Sequence, residues 1–233
     1  MKRKGKIAFN RIPADWKYDL SMEGIRSAAD DFILPYCQNS GLGALKLLEI
    51  NPSEGYLKYF CDTGSIKFYA AESKNTSREI CQRLGYTLLD KEPGLIDLSL
   101  IEDNFDILVL NHFLESHPNP SLVMKEVHRL LKEDGIAILK IRTYPFFIAN
   151  LINFTINIFP KSSLRPHYFS LRSLKKLLQR FEIKDIRGFR LFPFYVSTRL
   201  EDNFQYYYIN TWWGKKFASL TPEVNIVLQK RNA

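Results

Sequence analysis

Cysteine is scarce in this chain and badly spaced for chemistry. The three in 233 residues, Cys37, Cys61 and Cys81, are odd in number and far apart. No C-x-x-C pair exists, so neither a metal site nor a disulfide framework is suggested, and buried free thiols are expected. An apolar leader is missing too. The chain opens Met1-Lys2-Arg3-Lys4-Gly5-Lys6, a short basic tip, so no signal peptide and a cytoplasmic location are expected. Internal repeats and low-complexity linkers are absent. One run, residues 143–160, carries no charge and reads TYPFFIANLINFTINIFP. Asn150, Asn153 and Asn157 interrupt it and Pro145 and Pro160 bound it. A spanning helix needs about 20 mainly apolar residues, so a membrane span is not expected.

What is present is ordinary for a globular chain: 45% hydrophobic and 25% charged residues, enough for a sizeable core. The formal charge is +8. That excess admits an anionic partner or simply a basic, soluble surface. The basic residues are scattered, and no basic run flanks the aromatic group from Tyr206 to Trp213, so a nucleic-acid partner is not expected.

Periodicity then sets the elements. Ser21 can cap a helix reaching about residue 38, with Met22, Ile25, Ala29, Phe32, Ile33 and Tyr36 on one face. Apolar runs at 44–50, 66–71, 86–89, 105–110 and 136–141 read as strands, and 183–192 and 224–229 as two more. Helices are expected at 55–61, at 76–84 with Asn75 as cap, and from Pro120 to the Glu133-Asp134-Gly135 break. Another follows Ser170, with Leu171, Leu174, Leu177, Leu178 and Phe181 turned inward. Fully apolar strands alternating with helices predict an α/β fold: a doubly wound, mostly parallel seven-stranded sheet with helices on both faces. Ligands of such sheets sit beyond the carboxyl ends of the strands, here the loops after Ile50, Ala71 and Leu110. One domain over 1–233 is expected, with a helical extension at 1–43 and an insertion at 143–169.

Those loops carry the chemistry. Glu49-Ile50-Asn51-Pro52-Ser53-Glu54-Gly55 follows the first strand. It is similar to the E/D-x-G-x-G-x-G motif of class I S-adenosylmethionine-dependent methyltransferases, with Asn51 and Ser53 in place of the first two glycines. Glu72 closes the second strand about twenty residues later, where an acid accepts hydrogen bonds from ribose hydroxyls. The run Glu102-Asp103-Asn104-Phe105-Asp106-Ile107-Leu108-Val109-Leu110-Asn111-His112-Phe113-Leu114-Glu115 resembles the same family's D-x-S-F-D-h-V-h-x-x-x-h-L-E-H pattern, where h is apolar. The likeness continues through Glu126-Val127-His128-Arg129-Leu130-Leu131-Lys132 and through Pro166-His167-Tyr168-Phe169-Ser170, so it spans roughly residues 44 to 190.

The resemblance implies a Rossmann-like methyltransferase fold with a lid insertion after the fifth strand, and S-adenosyl-L-methionine as cofactor. Glu49, Asn51, Ser53 and Gly55 would then line its methionine end and Glu72 its ribose. Asp97 or Leu98 would lie near the adenine, and Asn111 and His112 would face the sulfonium. His112 and His167 are the candidate catalytic bases, because imidazole titrates near neutrality. His117 is expected in a surface loop and His128 on the exposed side of its helix. If the lid is helical, its three asparagines share a face opposite Phe, Leu and Ile, suited to self-packing, to an apolar substrate or to peripheral membrane contact. The acceptor implied is a small molecule, of lipid or saccharide type, anionic or apolar. The two lost glycines leave a non-catalytic binding or scaffold protein as the alternative.

Overall fold

The computed structural model describes residues 21–41, 43–89, 94, 96–158, 167–189 and 212–231. The chain enters as a nearly continuous helical run: α1 (Ser21–Ser27), a π turn (Ala28–Ile33) and α2 (Leu34–Ser40). Gly41 ends it in the left-handed region at φ 56°, where a residue without Cβ is unstrained. Seven strands follow: β1 (Leu45–Ile50), β2 (Ile66–Ala71), β3 (Thr87–Leu88), β4 (Phe105–Asn111), β5 (Leu131–Arg142), β6 (Phe181–Phe189) and β7 (Glu223–Lys230). Between them stand α3 (Tyr56–Cys61), α4 (Asn75–Arg83), α5 (Phe113–Ser116), α6 (Pro120–Leu130), α7 (Phe146–Ile158) and α8 (Leu171–Leu177).

The sheet order is β3-β2-β1-β4-β5-β7-β6. Strands β1 to β5 run parallel, and β7 is antiparallel to both β5 and β6. The expected mostly parallel, seven-stranded α/β sheet is thus the observed one. Strand order reverses between β1 and β4, and that switch point opens a crevice at the carboxyl ends of the strands.

Alternate residues of each strand feed two separate cores. Leu48, Ile50, Leu108, Leu110, Leu139 and Ile226 pack with Val123 and Val127 of α6 and Leu174 of α8. Leu47, Ile107, Val109, Ile138 and Val227 pack with Ala29 and Ile33 of the N-terminal helices and Leu57 of α3. Ser170 caps α8 as expected: its hydroxyl accepts from Ser173 N while its own N–H donates to the Ser173 hydroxyl.

Several expectations are corrected. Asn75 is the first residue of α4, not its cap; Lys74 holds that place without a side-chain bond. Helix α6 ends at Leu130, and Leu131 already belongs to β5, paired with Phe105. The charged trio Glu133-Asp134-Gly135 therefore sits inside a strand. Gly135 is needed there because a Cβ would meet the Asp106 carbonyl at 2.9 Å. His128 is half-buried edge-on against Phe181 rather than exposed, and burial lowers its pKa. Of the aromatic group, Tyr206 to Tyr208 lie outside the described residues, as do the basic tip and the end of the 183–192 strand reading. Among the described residues no helix is long and apolar enough to cross a membrane, and no cluster of potential metal ligands forms.

Candidate functional site

The loop after β1 keeps the path of a glycine-rich turn with only one glycine in it. Asn51, Ser53 and Gly55 all have positive φ, at 59°, 55° and 67°. These are the three positions where the resembling motif has glycine. Left-handed backbone costs an ordinary residue roughly 1–2 kcal/mol, so the fold imposes this path against the local preference of Ser53. Asn51 is held twice: its N–H donates to the Ala71 carbonyl at 2.8 Å and its side-chain amide to the Asn111 carbonyl at 3.0 Å. At Gly55 a side chain would strain the left-handed backbone and push Leu84 Cδ1 aside, 2.7 Å from the Cβ.

Glu72 stands directly across from this loop. The Ser53 N–H donates to its Oε2 at 2.9 Å, and the Lys74 N–H to its Oε1 at 3.0 Å. The carboxylate is fully buried at 0% exposure. The first loop and the second-strand acid therefore meet, but the loop backbone closes over the acid. An adenosyl group suits the loop's path and the acid's place at the end of β2.

A polar row runs along the same end of the sheet on the face of the N-terminal helices. Glu49 accepts from the Tyr86 hydroxyl at 2.8 Å and from the Asn111 amide at 2.7 Å. It is 1% exposed. Burial pushes its carboxyl up to about 7, against the lowering by those two hydrogen bonds and by Lys140. Next along the row, Lys140 pairs with Glu223 at 3.2 Å, both buried. The Asn225 amide donates to the Gly24 carbonyl at 2.7 Å, tying α1 over the row. At Gly24 a Cβ would press on Glu223 Oε1 at 2.9 Å, so a glycine lets the helix approach that closely.

His112 turns the chain from β4 into α5 at φ 51°. Its Nδ1 lies 3.0 Å from Glu115 Oε1, which also accepts from the Arg142 N–H at 2.7 Å. An ionised carboxylate only accepts, so Nδ1 carries the proton. In the neutral ring Nε2 then keeps its lone pair, and it faces Glu223 Oε2 at 4.0 Å. Glu115 Oε2 is buried with no hydrogen-bond partner among the described residues.

The other expected residues scatter. His167 stacks on Phe169, and its ring nitrogen lies 3.3 Å from the Pro118 carbonyl. It flanks α5 through a backbone bond to the Glu115 carbonyl and joins no part of the polar row among the bonds described. Asp97 is exposed and caps the 3-10 turn Leu98–Leu100 by accepting from Ser99. The Ser99 hydroxyl, which also donates to it, and the Ser99 backbone N–H lower its pKa. Leu98 is buried. His117 receives the Asn119 N–H in the turn before α6.

Sequence reading missed four residues: Tyr86, Lys140, Arg142 and Glu223. Arg142, Glu223, Thr143, Tyr144, Pro145 and Leu220 line a cleft of about 320 Å³ beside His112. Lys140 had a signal, a lone charge inside the apolar run from Ile136 to Ile141. Tyr86 and Glu223 had none, because their partners are distant in sequence.

A doubly wound sheet of this order, a left-handed turn after β1 and an acid ending β2 define a Rossmann-like domain of the methyltransferase type. Residues 34–187 match the family described as "Methyltransferase domain", and the chain belongs to that family. The family and its fold imply S-adenosylmethionine as cofactor. No curated protein matches the sequence. Among solved structures the chain is similar to the CurJ carbon methyltransferase, at TM-score 0.59 and 16% identity over 91% of this chain and 55% of that one. It is also similar to the mitomycin 7-O-methyltransferase MmcR, at TM-score 0.55 and 14% identity over 91% and 54%. A methyltransferase from Clostridium acetobutylicum matches at TM-score 0.57 and 13% identity over 92% and 93%. The chain thus spans about half the length of the first two and nearly all of the third. At these identities the likeness is one of fold.

Proposed function

We propose that this chain binds S-adenosylmethionine in the crevice between β1, β2 and β4 and transfers its methyl group to a small-molecule acceptor. The observation that carries the reading is the left-handed path retained at Asn51, Ser53 and Gly55 directly opposite Glu72. Asn51, Ser53 and Gly55, with Glu49 beneath them, hold the methionine end, and Glu72 takes the ribose. Asp97 and Leu98, on the segment after β3, flank the adenine. Asn111 and His112 stand where the reacting carbon and the acceptor meet. The cofactor supplies an already activated methyl carbon, so the protein's task is alignment and, where the acceptor holds a proton, its removal.

His112 is the base in this reading, because its Nε2 lone pair is free of the Glu115 bond. His167, with its ring turned to the Pro118 carbonyl, closes the turn beside α5. The cleft lined by Tyr144, Pro145 and Leu220 receives an apolar acceptor of lipid type, with Arg142 for an anionic group on it. Calorimetric titration with S-adenosylmethionine tests the reading. Binding in the micromolar range, lost in Glu72→Ala, is expected. No heat at high cofactor concentration overturns it.

One observation favours a second reading, a methyltransferase-like binding protein without catalysis: both Glu72 oxygens are already occupied by backbone N–H groups and the side chain is fully buried. Saturable cofactor binding that is abolished by Glu72→Ala argues against this version, and methyl release from bound cofactor rules it out.

A further inference from the structure

Helix α7 turns several large apolar side chains outward at its described positions. Its asparagine Asn153 points into the protein, donating to the Tyr168 carbonyl at 2.8 Å and accepting from the Tyr168 N–H at 3.3 Å. Small Ala149 is buried beside it. The large apolar residues point out instead: Phe147 is 84% exposed, and Ile148 and Phe146 are exposed with it. Asn150 is exposed along with them, so of the two asparagines whose side chains are described only Asn153 turns inward. Across the cleft lined by Tyr144 and Pro145, Leu220 adds a further exposed apolar side chain at 59%. Exposed Trp212 and Phe217 precede it on the same segment.

The sequence on either side of this surface is basic, although the cleft itself also carries Glu223, paired with Lys140. Residues 142–181 contain seven Lys and Arg and no Asp or Glu, and residues 203–222 contain Lys215 and Lys216 and no acid. Arg172 lies over the Phe146 ring at 5.2 Å, and Lys216 over the Trp212 ring at 4.1 Å. Cations set among exposed aromatic and aliphatic side chains are the pattern of a helix that lies in the headgroup layer of an anionic bilayer. Apolar side chains enter the acyl boundary there while Lys and Arg meet lipid phosphates.

We infer that the outer face of α7, together with Leu220, docks the protein on an anionic phospholipid surface, with the mouth of the Tyr144–Pro145–Leu220 cleft turned toward the lipid. This goes beyond the methyl-transfer reading. It holds or fails without the cofactor, so a failed S-adenosylmethionine titration leaves it untouched and the reverse is also true.

Flotation of the full chain with two vesicle types tests it: phosphatidylcholine alone, and phosphatidylcholine doped with phosphatidylglycerol. The wild type is expected to float with the anionic vesicles and only weakly with the neutral ones. Phe147→Glu is expected to lower the partition about tenfold by placing a carboxylate in the acyl boundary. Leu220→Glu, on a separate element, gives the same loss independently of α7's own folding. Leu122→Glu, exposed on α6, leaves partition unchanged. The inference is overturned if the anionic vesicles retain no protein. It is equally overturned if Phe147→Glu and Leu220→Glu float like the wild type, which is plain charge attraction. A wild-type dimer that Phe147→Glu dissociates, with no flotation, makes the face a contact between copies and also sinks the inference.

Discussion

The two faces of the sheet end differently. On the side of α6 and α8 this end of the sheet stays apolar, through Ile50, Leu110 and Ile141 at the carboxyl ends of their strands and Val224 at the start of antiparallel β7. On the side of the N-terminal helices the same end of the sheet carries Glu49, Asn111, Lys140, Asn225 and Glu223, all buried. Burying charge is costly unless it is paired and hydrogen-bonded. The apolar face is therefore what stability alone selects, and the polar face must be held together by its own bonds. The contrast teaches where to look for function in this fold: at the end of the sheet where packing is the less economical choice.

The largest expected effect breaks the polar row. Glu223→Leu leaves Lys140 buried without its carboxylate and should cost about 4 kcal/mol in urea unfolding. Lys140→Met combined with Glu223→Leu should recover most of that loss. A single substitution costing less than about 1 kcal/mol would mean the row is no more demanding than an exposed pair.

A smaller effect distinguishes the faces by pH. Glu49 is raised from 4.5 to about 7 in the fold, so the folded state holds a proton that the unfolded state has released between those values. Its contribution to stability is then complete below about pH 4.5 and is lost as pH rises through 7, a difference of about 3 kcal/mol. Thermal melts from pH 5 to pH 8 should show this decline, and Glu49→Gln should remove it. Leu108→Ala, on the apolar face, should lower the melting temperature with the slope against pH retained. If Glu49→Gln keeps the wild-type slope, the carboxyl is not the titrating group.

Smallest is the release of strain in the first loop. Ser53→Gly removes the cost of a left-handed serine and adds freedom to the unfolded chain, for a net gain of about 0.5 kcal/mol. A loss instead of a gain in chemical denaturation would show that the serine side chain contributes to holding the loop.

The same contrast marks what could be read in advance. The apolar strands β1, β2 and β4 and the cap at Ser170 were legible, because hydrophobic runs and a hydroxyl before a Leu-rich stretch are local signals. The end of α6 was not. Leu131 leaves the helix because Phe105, a strand away, offers a pairing partner. Glu49, Asn51, Gly55 and Glu72 could be placed from the spacing of one loop and one strand end. The outward turn of Phe147 and the inward turn of Asn153 on α7 were hidden, since the pattern of residues does not say which side the rest of the protein occupies.

By itself the sequence determined the alternation of buried strands with helices and the position of the turn after β1, since both follow from apolar periodicity and short-range spacing. Only the tertiary structure decided that Ser53 adopts a left-handed backbone, that Glu72 is closed over by that loop, and that Tyr86 and Asn111 share Glu49. Each of these depends on groups 19 to 62 residues apart meeting in space, and no local preference carries that information.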